Sequence, residues 1–119
     1  MFKKLSHPMM YVTDLDRAVK FYSEKLNFQV RFHHPDAFAS LFHPGMNQRL
    51  DLHPTEADSK DVGYGPIFYF LSDNLDRDLA LLRSSGVKTG EPKREGNSPR
   101  FVTFWDSEGN ALGIEEESK

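Results

Sequence analysis

The chain has five histidines, no cysteine and eighteen carboxylates. Any nucleophilic or metal chemistry must therefore come from imidazole, carboxylate and hydroxyl groups, and thiolate metal sites, disulfides and cysteine nucleophiles are excluded. In Arg49-Leu50-Asp51-Leu52-His53 polar and apolar residues alternate. On a strand this aims Arg49, Asp51 and His53 at one face. A carboxylate on a face that closes over a ligand is costly unless paired, and Arg49 is the available partner for Asp51. His7 can hold a metal, orient a small molecule, or be satisfied by a neighbour or water. His33 and His34 are adjacent, so on a strand they point to opposite faces and cannot share a metal; with His43 they are expected at the surface. Lys93, Arg94 and Arg100 flank a Gly- and Pro-rich loop that could close on an anion, although a solvated loop is the expectation.

The elements that must position these groups repeat. Leu15-Asp16-Arg17 recurs sixty positions later as Leu75-Asp76-Arg77, each after an apolar stretch and each with an Asp, Asp14 or Asp73, at the strand–helix junction. A carboxylate there can accept from the free N–H groups of the first helical turn. The periodicities predict a strand over 7–12, one over 28–33 in which Phe28, Val30 and Phe32 alternate with Gln29, Arg31 and His33, one from Phe38 that stops at Pro44-Gly45, one over 49–53, and a helix over 15–26 ending at Asn27 in a left-handed conformation. A second set follows: strands over 66–72, near Val87, over 101–105 and over 111–116, with a helix over 75–83. The fold class is α+β, βαβββ twice, in one domain of residues 1–119 with modules of residues 1–55 and 64–119. Period-2 parity puts Leu50, Leu52, Ile67, Tyr69, Leu71, Val102, Phe104, Leu112 and Ile114 beneath the helices. The opposite faces then carry Met9, Tyr11, Phe68, Phe70, Phe101 and Trp105. A face that aromatic lines a ligand cavity, a subunit interface, or both.

A formal charge of −3 and no basic stripe argue against nucleic acid. The apolar run Ile67-Phe68-Tyr69-Phe70-Leu71 is far too short to span a membrane. The N-terminal stretch is broken by His7, Pro8 and Asp14 and does not read as a signal peptide, so a cytoplasmic location is expected.

The stretch from His7 to Tyr22, with Leu26-Asn27-Phe28 after it and the turn Asp106-Ser107-Glu108-Gly109-Asn110, resembles the vicinal oxygen chelate superfamily. That group includes glyoxalase I, bleomycin-resistance proteins and extradiol dioxygenases. The resemblance spans essentially the whole chain and is specific for fold rather than reaction. It implies two βαβββ modules whose curved sheets enclose a cavity, and a homodimer that often builds the cavity from modules of two chains. It also implies four side-chain ligands for a divalent metal such as Zn, Ni, Co, Mn or Fe, two per module. Matched one at a time, the first position is His7 and the second Asp51, where glyoxalase-like relatives carry Glu. The third is Pro66 and the fourth Gly113, neither with a side-chain donor. His53 and Glu115 lie two residues along the strand from ligand positions, about 6.6 Å away, too far to substitute without moving the metal.

Three functions follow. The favoured one is a ligand-binding protein of the bleomycin-resistance type, without a full metal site or resident cofactor, that takes a small aromatic or partly apolar molecule between aromatic faces. His7, Met9, Tyr11, Asp51, Phe68, Phe70, Phe101 and Trp105 are its candidate contacts. The alternative is a divalent-metal lyase, isomerase or dioxygenase, lactoylglutathione lyase-like, with His7 and Asp51 in a non-standard ligand set. The third keeps the cavity and uses His7 or Tyr11 as acid or base.

Overall fold

In the computed structural model, which describes residues 1–56 and 60–117, the chain divides into two units, 1–65 and 66–119. The first contains β1 (Met9–Val12), α1 (Leu15–Lys25), β2 (Gln29–His34), β3 (Phe38–His43) and β4 (Gln48–Pro54). Its sheet runs β1-β4-β3-β2, with β1 parallel to β4 and the other pairs antiparallel. The second contains β5 (Phe68–Ser72), α2 (Leu75–Ser84), β6 (Lys88–Thr89), β7 (Phe101–Trp105) and β8 (Ala111–Glu116), ordered β5-β8-β7-β6 with the same sense of pairing. Both are βαβββ, as the periodicity predicts. Residues 57–59 of the polar connection predicted between the modules lie outside the described residues.

Each helix starts on a side-chain cap. The Asp14 carboxylate accepts from the Arg17 N–H at 3.0 Å, as expected. In the second unit the cap is Asn74, accepting from the Arg77 N–H at 3.0 Å, and not Asp73, which pairs with the Arg77 guanidinium instead. The repeat of sixty explains this correction, because Asn74 stands where Asp14 does. Asn27 closes α1 with φ +61°. α1 lays Leu15, Ala18, Val19 and Tyr22 on the sheet, and the Tyr22 hydroxyl reaches the Met10 sulfur at 3.6 Å. α2 lays Leu75, Leu79 and Leu82 over Val102, Phe104, Leu112 and Ile114, all buried. Each sheet has one face under its helix and one face away from it. The candidate residues are sorted by that division.

Candidate functional site

On the first unit, the pairing registers arrange the face away from α1 in three cross-strand rows. One row holds Arg49, Phe42 and Gln29, with Arg31 over the Phe42 ring, the guanidinium carbon 4.3 Å from the ring centre. The middle row runs Met9, Asp51, Ser40, Phe32. The third runs Tyr11, His53, Phe38, His34. His53 stacks on Phe38 with ring centres 5.3 Å apart, and Phe38 packs on Phe32 at 5.0 Å. The face is thus basic along one row and aromatic along another.

Asp51 is the hub. Its side chain is 3% exposed. The Arg49 fork grips it twice, Nε to Oδ1 at 2.9 Å and Nη2 to Oδ2 at 2.7 Å. His7 Nε2 lies 3.2 Å from Oδ2, and Ser40 supplies a further hydrogen bond. Burial pushes the carboxyl group up. The hydrogen bonds from Arg49 and Ser40, with the charges of His7 and Arg49, outweigh that and hold it below the ordinary carboxylate range. The other ring nitrogen of His7, Nδ1, is 2.7 Å from the Ser6 hydroxyl oxygen. The expected Arg49–Asp51 pair is therefore present, and His7 joins it.

Sequence parity misjudged β2. A bulge between Val30 and Phe32 breaks the alternation. Val30 pairs with Leu41 on the α1 side, whereas Arg31 and Phe32, although consecutive, both reach the opposite face. Together with Phe38 and Phe42 they are face residues that parity did not single out. His33 and His34 are exposed, as expected, and His33 pairs with Asp16 of α1 at 3.0 Å. His43 is half-buried rather than exposed, edge-on to Phe28 at 5.2 Å.

The second unit corrects the β5 expectation. Phe68 and Phe70 lie on the α2 side, paired with Leu112 and Ile114, and the Phe70 ring stacks near Phe104. Ile67, Tyr69 and Leu71 are the exposed ones, Leu71 at 66%. The lock is Ser72, whose hydroxyl donates to Asp78 of α2 and accepts from the Asn74 N–H, which fixes the phase of the whole strand. Phe101 and Trp105 do lie on the face away from α2, as expected, in register with Glu115 and Ala111. Tyr69 joins them, edge-on to Phe101 at 6.3 Å. Its ring lies against Gly113, so that a Cβ built there would overlap it.

This donor set does not fit the divalent metal that the resemblance implies. Both oxygens of Asp51 are held by Arg49, and an arginine beside the carboxylate opposes a second cation. Pro66 has no donor, and the place of a Gly113 side chain is filled by the Tyr69 ring. Among the described residues no group of three or more His, Cys, Asp or Glu could hold a metal ion. No helix of the described residues is long and apolar enough to cross a membrane.

Comparison with known proteins returns a match of residues 4–114 to the family model for the Glyoxalase/Bleomycin resistance protein/Dioxygenase superfamily. No curated protein matches. Among solved structures, the chain is 24% identical to TnmS3, an antibiotic binding protein from Streptomyces sp. CB03234, with a TM-score of 0.82 over 99% of both chains. A superfamily member from Sphaerobacter thermophilus is 25% identical at TM-score 0.80, over 97% of this chain and 98% of that one. The fosfomycin resistance protein FosX from Listeria monocytogenes, solved with Mn(II) and sulfate, is 16% identical at TM-score 0.79, over 99% and 93%.

Proposed function

The chain belongs to the Glyoxalase/Bleomycin resistance protein/Dioxygenase superfamily, and on that footing we propose that it is a metal-independent small-molecule-binding protein, cytoplasmic and homodimeric, whose ligand is aromatic or partly apolar. One observation carries the reading. The carboxylate left at an inherited ligand position is spent on Arg49, so the side chain that would grip a cation serves as a structural anion. Tyr69 over Gly113 supports it, since the second unit has an aromatic ring where the metal enzymes need a donor. On the first unit the candidate contacts are His7, Met9 and Tyr11, with Asp51 behind them as the anchor of Arg49; on the second unit, taken by itself, they are Phe101 and Trp105. Flat apolar surfaces with a few fixed polar groups suit such a molecule. Phe68 and Phe70 keep only the role of backing these surfaces.

The test is elemental analysis of purified protein together with a thermal-shift and tryptophan-fluorescence screen of small aromatics and divalent metals. The expected result is no stoichiometric metal and a Trp105 response to aromatic compounds. One equivalent of a divalent metal, lost on replacing His7, would overturn the reading in favour of the metal lyase or dioxygenase.

A further inference from the structure

Resting on that reading, we infer that the ligand is an aromatic acid: its carboxylate docks on Arg31 and Arg49, and its ring lies over Phe32, Phe38 and His53. Asp51 is the sole carboxylate in the three rows of the first unit's open face, and its charge is answered by Arg49 in a two-point fork. Against that one acid stand two guanidinium groups, so the row around Phe42 is left cationic. Arg49 uses Nε and Nη2 on Asp51, which leaves Nη1 to point elsewhere. A guanidinium held on one side by a buried carboxylate is pre-oriented, and little freedom is lost when its remaining N–H groups meet a second anion.

Arg31 is the independent observation. Regular alternation would send it to the other face from Phe32. The bulge brings both residues to this face, Arg31 over Phe42 at 4.3 Å and Phe32 against Phe38 at 5.0 Å. Bulges commonly re-aim a side chain next to a site. No carboxylate among the described residues pairs with Arg31; its one partner is an aromatic ring, which holds the cation without neutralising it. A basic row beside an aromatic row matches a molecule with an anionic end and a flat body.

Three isosteric probes test this by fluorescence titration: 1-naphthoate, neutral 1-naphthamide and cationic 1-naphthylmethylammonium. The expected order puts 1-naphthoate ahead of 1-naphthamide by about tenfold in Kd, an advantage that shrinks with added salt. Arg31→Gln, at an exposed position away from the Asp51 hub, should weaken 1-naphthoate far more than 1-naphthamide and so remove most of that advantage. Arg49→Lys should weaken 1-naphthoate as well, because lysine keeps the charge and loses the fork. Equal binding of acid and amide, or an acid preference untouched by Arg31→Gln, overturns the inference and leaves the binding-protein reading standing. So does preference for the cationic probe. If none of the three binds while other neutral aromatics still move the Trp105 signal, the inference alone fails; silence to every aromatic sinks both.

Discussion

Asp51 is buried and gripped, and its folded carboxyl is held below the ordinary range by Arg49, Ser40 and His7 against the opposing pull of burial. The stability it contributes is therefore present above its unfolded value and is lost as pH falls through the folded one. Denaturant titrations at several pH values should show stability declining below about pH 4, with a shallower decline in Asp51→Asn. At neutral pH the same variant should be less stable by about 1–3 kcal/mol, because hydrogen bonds to a charged acceptor are among the stronger ones. A variant equal to the native protein at both ends of the pH range would show that the cluster is not a structural ion pair. Gly113 makes a second prediction. Adding a methyl group there collides with the Tyr69 ring, so Gly113→Ala should cost about 1–3 kcal/mol. In Tyr69→Ala the same change should be nearly silent, and a double-mutant cycle measures the difference. Additive effects would mean that the ring does not sit where Gly113 leaves room for it.

The helices and strands were legible because their signals are local. Asp14, Asn27 and the Leu75, Leu79, Leu82 spacing each act within a few residues, and β7 and β8 match their predicted bounds. The cap of α2 was misread because Asp73 and Asn74 are both good caps and only backbone geometry selects between them. Asn74→Ala should lower stability by about 1 kcal/mol. Asp73→Ala should do far less, since its salt bridge to Arg77 is exposed; thermal melts of the two variants decide. The β5 phase was illegible for another reason. An uninterrupted apolar run from Ile67 to Leu71 has no alternation to read, and the phase comes from Ser72 bonding to α2. Likewise nothing in 28–32 marks the bulge, since Phe28, Val30 and Phe32 alternate perfectly as letters.

On the scale of the molecule, each unit keeps a sheet face away from its helix with large apolar groups open: Phe32 at 47% exposed in the first unit and Tyr69 at 47% in the second. Exposed apolar surfaces of that kind mark sites of protein or ligand contact, in keeping with the homodimer proposed above. Light scattering should therefore give twice the chain mass, and the melting temperature should rise with protein concentration. A concentration-independent melt with monomer mass would reject the dimer. Adding the aromatic acid proposed above should raise the melting temperature further if the open face of the first unit is the docking surface.

The sequence by itself determined the order of elements, because caps and periodicities act over one or two turns. With the family resemblance beside it, the sequence also gives the expectation that the ligand positions matched to Pro66 and Gly113 lack a donor, because proline and glycine have no donor side chain in any fold. Only the tertiary structure decided the faces where alternation fails or is absent, in β2 and β5. Hydrogen-bond register is set by the partner strand, so it took the sheet to turn Arg31 and Phe32 together, to invert β5 and to lay Tyr69 on Gly113.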